Sequence, residues 1–262
     1  MSDPTILVTN DDGVASPGLA ALARAAVAPG RGVVVAAPAT DQSGTSAAVA
    51  PRPPEGVRIE PVTLEGGVDG AAAFAVDGPP ALAVLGARLG ELGEVAAAAS
   101  LVVSGVNLGP NTGVAVLFSG TVGAALAAAN LGLSALAVSI DSFRPAHLAT
   151  ATTVAAAAID WLLDAPPGTV LNVNVPDLAV DRLAGIRHAP LATFGGVQLA
   201  VRERLDEPFT AEFRVTQPDP EPGTDAALLR EGWVTVIALH GVGADDAVDA
   251  APFIARAVTP AA

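Results

Sequence analysis

The chain has 262 residues and contains no cysteine, no lysine and no tyrosine. Without cysteine there are no disulfides, no thiolate metal sites and no cysteine nucleophile. Every basic side chain is therefore an arginine, and 13 of them face 27 Asp and Glu for a formal net charge of −14. That balance repels a nucleic-acid duplex or an anionic membrane surface. Alongside abundant Ala, Gly, Pro, Val and Arg, these absences follow the amino-acid bias of a GC-rich genome and carry little functional meaning. Histidine is scarce too: His147, His188 and His240 lie far apart with no i, i+4 pair, which argues against a histidine metal site. Trp161 and Trp233 sit in apolar surroundings and read as packing residues. Arg202 and Arg204, next to Glu203 and Asp206, read as a solvated charged segment.

Charge is missing altogether from residues 95–140, a stretch long enough to raise the question of membrane spans. Asn107, Pro110, Asn111, Asn130 and many glycines interrupt it, which fits strands of a parallel sheet covered on both faces. The N-terminus has no basic region followed by a long apolar run, so the expectation is a cytoplasmic chain.

What is present is alternation. Segments 5–9, 32–37, 72–76, 101–104, 135–140 and 169–175 read as strands, separated by Ala/Leu stretches of helical spacing, the pattern of an α/β doubly wound sheet. The first helix is marked by Ser16 as N-cap, Pro17 at its first position, an apolar face of Leu19, Leu22, Ala23 and Ala26, and Pro29-Gly30 as its stop. Further helices are expected at 80–89, 120–131 and 146–163, the last ending before Pro166-Pro167. After Asp177 the texture changes. "TQPDPEPGTD", Thr216 to Asp225, reads as an exposed loop, 232–239 as a strand and 246–257 as a weak helix. The expected organisation is a catalytic core over 1–177 and a C-terminal extension over 178–262, formed by a β-hairpin and helix and used in oligomerisation.

The first strand runs into "NDDG", Asn10 to Gly13. Ligands of open α/β sheets bind beyond the carboxyl ends of the strands, where Asp11 and Asp12 stand. Adjacent carboxylates repel unless a cation or a shared proton compensates, and a hard divalent metal with oxygen ligands is a natural compensation. The alternative is that one Asp caps the turn before Gly13 and the other is solvated. Polar segments follow other strands as well: "TDQSGTS" (Thr40 to Ser46), "SGVNLGPNTG" (Ser104 to Gly113) and "FSGTVGAA" (Phe118 to Ala125). Ser43 and Asn107 add neutral oxygens, and the amides of Gly120 and Thr121 at a helix N-terminus suit a phosphate. Taken singly, Ser and Asn are turn formers and Ser119 is a helix cap.

Taken together, "ILVTNDDG", "VVAAPATDQSG", "LVVSGVNLGPNTG", "SGTVGAA", "LNVNVP" and "GTDAALLREGWVTVIAL" resemble, in order and spacing, segments of the SurE family of metal-dependent survival-protein nucleotidases. The resemblance implies a Rossmann-like, mostly parallel core and a C-terminal extension exchanged between subunits of a homodimer or homotetramer. It also implies release of phosphate from nucleoside monophosphates. It matches Asp11, Asp12, Ser43 and Asn107 to the positions that hold one divalent metal ion per subunit, Mg²⁺ or Mn²⁺. Asp11, Asp12 and Asn107 are then the candidate catalytic residues, with Asn10, Asn111, Ser119, Gly120 and Thr121 as donors to the phosphate. Three positions depart from the family pattern: Leu82 stands where aspartate is usual, Ala127 where glutamate is common and Ser134 where proline is usual. The changes at Leu82 and Ala127 motivate a rival expectation, a catalytically weak or silent paralogue that keeps the metal and a phosphate or nucleotide ligand.

An aspartyl-phosphate phosphatase wants alternating "DxD" carboxylates and usually a lysine, both missing here. A dinucleotide-binding oxidoreductase wants a Gly-rich turn where this chain has acids.

Overall fold

The computed structural model describes residues 3–49, 56–194, 197–202, 210–215 and 219–241. The first half runs β1 (Thr5–Thr9), α1 (Pro17–Ala26), β2 (Gly32–Pro38), β3 (Ile59–Pro61), β4 (Ala72–Val76), α2 (Pro80–Arg88) and a short α3 (Glu94–Ala97). There follow β5 (Leu101–Leu108), a 3-10 turn (Gly113–Phe118), α4 (Gly120–Asn130), β6 (Ser134–Ile140), α5 (Leu148–Leu163) and β7 (Val170–Val175). After a second 3-10 turn (Val180–Arg182) come β8 (Gly185–His188), β9 (Val197–Arg202), β10 (Thr210–Val215), α6 (Asp225–Arg230) and β11 (Trp233–Leu239).

Nine strands form one sheet in the order β3-β4-β2-β1-β5-β6-β7-β11-β8, confirming the α/β, mostly parallel expectation. The run from β4 to β7 is parallel throughout, while β3 and β11 enter antiparallel. Parallel strands covered on both faces explain the continuous apolar runs. In β1, Ile6 and Val8 join a core with α1 and α5, whereas Leu7 between them joins a second core with α2 and α4. The charge-free stretch resolves into β5, α4 and β6, and among the described residues no helix is long and apolar enough to cross a membrane.

α1 starts as its sequence dictates: Ser16 Oγ accepts the Gly18 N–H at 3.3 Å, Pro17 occupies the first turn, and Leu19, Leu22, Ala23 and Ala26 are buried. β5 differs from expectation by running on to Leu108, because a register shift against β6 between Ser104 and Asn107 lets the strand absorb Gly105-Val106 and resume pairing. Trp161 is 56% exposed on α5 rather than packed in the core. Trp233 lies beneath the Arg187 guanidinium, 3.8 Å from its ring centroid.

The chain after Asp177 returns to the sheet. β11 pairs with β7 and β8 with β11, so the expected boundary divides two segments that share one sheet. β9 and β10 form a separate two-stranded antiparallel sheet. The stretch expected to be an exposed loop up to Asp225 needs correction at its end, since Thr224 and Asp225 are buried. The Asp225 carboxylate accepts the N–H groups of Gly113 at 2.8 Å and Ala192 at 2.9 Å, which ties α6 to the 3-10 turn before α4. The weak helix expected at 246–257 and Arg204 lie outside the described residues.

Candidate active site

The strand order reverses at β1: the chain passes from β1 to β2 on one side and later returns to β5 on the other. Such a switch point opens a crevice at the carboxyl ends of the two central strands. Asp11 and Asp12 lie just past β1, Asn107 near the end of β5, Ser43 in the loop after β2, and Ser119 at the N-cap of α4. Together with Asn111, Phe118 and Phe143 they line a cleft of about 110 Å³.

The turn carrying the aspartates is fixed from beneath. Gly13 has φ of +96°, a conformation that side chains rarely adopt, and the Asn10 side-chain amide donates to its carbonyl at 3.1 Å. Asp11 is 3% exposed. Its Oδ1 accepts the Thr121 hydroxyl at 2.5 Å, and the Thr121 backbone N–H bonds to it as well, so the N-terminus of α4 is aimed at this carboxylate. That approach requires glycine at 120, where a Cβ would stand 2.7 Å from Asp11 Cβ. Asp12 is more exposed, and its Oδ2 accepts the Leu108 N–H at 3.2 Å across the β1–β5 crevice.

Burial pushes the Asp11 carboxyl above its ordinary range, against the hydrogen bonds from Thr121. Burial, and then the charge of Asp11, push Asp12 up to about 7. Asp41 adds a further repulsion to both. No cation figures among the groups that act on either carboxylate.

The other expected residues divide. Asn111 and Ser119 line the cleft. The Asn111 amide donates to Ser139 Oγ at 2.8 Å, its backbone N–H to Asn174 Oδ1 at 2.8 Å, and its carbonyl accepts from Asn172 and Asn174. Ser119 Oγ accepts the Val122 N–H at 3.0 Å as a true helix cap. Three residues expected to donate to phosphate do other work. Asn10 is wholly buried and closes the turn, while Gly120 and Thr121 are buried against Asp11. Ser43 faces the cleft, with its hydroxyl and N–H both donating to Asp41 Oδ1, at 2.6 and 2.7 Å. Asn107 donates to the Gly109 carbonyl at 2.7 Å, leaving its Oδ1 facing Thr121 at 3.4 Å.

Asp41, Phe118, Phe143 and the Ser139/Asn172/Asn174 set went unremarked in the sequence. The one available signal was Asp41 two residues before Ser43, a spacing that favours side-chain to backbone turns.

The donor set suits a divalent cation. The buried Asp11 and the half-buried Asp12 repel each other and share the cleft with Asn107 and Ser43, and the Asn10 Oδ1 of the same turn has no hydrogen-bond partner among the described residues. Among the described residues no three His, Cys, Asp or Glu side chains converge as a metal cage. One or two carboxylates supplemented by neutral oxygens, water and substrate phosphate are what Mg²⁺ commonly takes. None of the departures from the family pattern reaches this cleft: Leu82 packs over Gly78, Ala127 is half-buried on α4, and Ser134 Oγ donates to the Pro166 carbonyl at 3.3 Å.

Comparison with known proteins agrees with the geometry. The family described as Survival protein SurE matches residues 6–195. A protein of Syntrophobacter fumaroxidans named 5′-nucleotidase SurE is 36% identical over 243 residues, covering 90% of this chain and 92% of its own length. One of the same name from Alkalilimnicola ehrlichii is 38% identical over 237 residues, 88% of this chain and 87% of its own. The crystal structure of SurE protein from Aquifex aeolicus superposes with a TM-score of 0.76 at 28% identity, covering 98% of this chain and all of that one.

Proposed function

Because the chain belongs to the survival protein SurE family, we propose that it is a divalent-metal-dependent phosphomonoesterase that releases phosphate from nucleoside monophosphates. The observation that carries this reading is the Asp11–Asp12 pair at the sheet's switch point, with Asn107 opposite it across the crevice. Asp11, Asp12, Ser43 and Asn107 would hold one Mg²⁺ or Mn²⁺, whose positive charge offsets the charge of the phosphoryl group. Asn111 and Ser119, which face the cleft, donate to phosphate oxygens. Asn10, Gly120 and Thr121 act a step further out, fixing the turn and Asp11.

Hydrolysis needs a water attacking phosphorus in line as the P–O ester bond breaks. Asp12 is the more exposed carboxylate and its Oδ2 alone accepts the Leu108 N–H, which leaves Oδ1 to take the water's proton; the departing ester oxygen takes a proton from solvent and leaves as the nucleoside hydroxyl. Asp11, pinned by Thr121, supplies fixed charge. The work is mainly positioning and electrostatics, as phosphoryl transfer requires. The silent-paralogue reading loses its motive, because Leu82, Ala127 and Ser134 lie away from the cleft. The same reading takes the chain to be cytoplasmic and to work as a homodimer or homotetramer.

A phosphate-release assay over nucleoside monophosphates tests it. Exhaustive chelation is expected to abolish release, and Mg²⁺ or Mn²⁺ to restore it. Undiminished release after chelation overturns the proposal.

A further inference from the structure

We propose that Phe118 and Phe143 form an aromatic clamp that takes the substrate's nucleobase by stacking, so that the site accepts any base and discriminates against phosphate esters without one. This rests on the nucleotidase reading above and extends it to the part of the substrate that the carboxylates do not touch.

Aromatic side chains are rare in this chain, 7 Phe and 2 Trp in 262 residues. Among the described residues three phenylalanines are exposed, Phe118 at 50%, Phe143 at 57% and Phe194 at 61%, and the first two line the same cleft as Asp11 and Asp12. Exposed rings forfeit burial that a packed position would give.

Each ring is held on a different rim. Phe118 ends the 3-10 turn before Ser119, and its carbonyl accepts the Ser46 N–H at 3.3 Å while Leu117 O accepts Ser46 Oγ at 2.7 Å, which tethers it to the loop after β2. Phe143 follows β6 and leans on Gly109, where a Cβ would stand 2.7 Å from its ring. A phosphate seated at Asp11 and Asp12 would have its ester group in the cleft that both rings line.

Little else there can read a base. No Arg, His or Glu lines the cleft among the described residues. Its side-chain donors are engaged or face the phosphate: Asn107 donates to the Gly109 carbonyl and Ser43 to Asp41, while Asn111 and Ser119 serve the phosphate in the reading above. What remains is ring faces, which bind every base because every base has a π-face, and larger bases more strongly.

The test compares hydrolysis of adenosine 5′-monophosphate with that of ribose 5-phosphate, which keeps the phosphate and sugar and lacks the base, using the full chain with Mn²⁺. Wild type is expected to show the higher kcat/KM on the nucleotide. Phe118→Ala and Phe143→Ala are each expected to lower the nucleotide-to-sugar ratio of kcat/KM at least fivefold, through KM, and Phe143→Trp to retain it. An unchanged ratio in both alanine variants overturns the clamp. So does a change in oligomeric state with the ratio intact, which would make the rim a contact between chains. If wild type hydrolyses neither compound, the nucleotidase reading fails by itself. Calorimetric titration of the two ligands then decides the clamp: preferential nucleotide binding, lost in the alanine variants, supports it, and equal affinities overturn it.

Discussion

At the scale of single residues, the aspartate pair is held in a conflict that either a proton on Asp12 or a bound cation relieves. Asp12→Asn keeps an acceptor for the Leu108 N–H and removes one of two repelling charges. The apo protein is therefore expected to be as stable as wild type or slightly more so, while turnover falls about 100-fold or more. Its melting temperature should no longer rise on adding Mn²⁺, since a ligand stabilises only the state that binds it. Near wild-type turnover with a full Mn²⁺ shift would take Asp12 out of the site. The pair also sets a pH dependence. Folded Asp12 holds its proton up to about 7 from a starting value of 3.8, so between these values the folded chain binds more protons than the unfolded one. Stability of the metal-free protein should fall as pH rises through that window and level off above it. Asp11, Asp141 and Asp225, raised by burial, tilt the same way. Asp177 opposes them: burial raises it, but hydrogen bonds from Ala146, His147 and Ser142 outweigh burial and hold it low, so its contribution is lost as pH falls through its folded value. Thermal melts of the metal-free protein at pH 5 and pH 7.5 check the slope, which Asp12→Asn should reduce.

Among the elements, the site depends on a turn that a distant helix secures. Asp225 binds Gly113 and Ala192 with its two carboxylate oxygens, and Gly113 opens the 3-10 turn that delivers Phe118 and Ser119 to the cleft. Asp225→Ala takes the acceptor from the buried N–H groups of Gly113, Ala192 and Ala226 and is expected to cost roughly 2 to 5 kcal/mol, read as a lower urea midpoint together with reduced turnover. Its carboxylate lies 112 residues from Gly113, and nothing local in "PEPGTD" distinguishes such an anchor from a solvated turn. By contrast the start and buried face of α1 are legible to the residue, because Ser16, Pro17 and the apolar spacing act within one helix, which ends at Ala26, ahead of the expected stop at Pro29-Gly30. The end of β1 is legible for the same reason, since "NDDG" follows its apolar run directly. β5 was read short because Gly105 looks like a strand terminator, and only pairing with β6 shows that the strand resumes. Thr121 was read as a phosphate donor because a free helix N-terminus favours anions. The anion it meets is Asp11, from another strand, and that meeting depends on how α4 packs.

For the whole molecule, the C-terminal region divides between the main sheet and a hairpin. β11 and β8 are absorbed into the sheet and cover the edge that β7 would otherwise expose. The β9–β10 hairpin is not, and forms a two-stranded sheet of its own. An isolated two-stranded hairpin is marginal in water unless its face packs on another element. A second copy of the chain offers such a face, and a twofold axis would let each hairpin pack on the partner's body with the same contacts made twice. We therefore expect the full chain to run as a homodimer or homotetramer in light scattering at micromolar concentration. Replacing residues 197–215 by a short Gly/Ser linker should give a monomer that still melts cooperatively, because the nine-stranded sheet and its two cores lie outside that segment. A full chain that is monomeric at micromolar concentration, or a hairpin deletion that keeps the assembly intact, would show that this hairpin is not the contact between subunits.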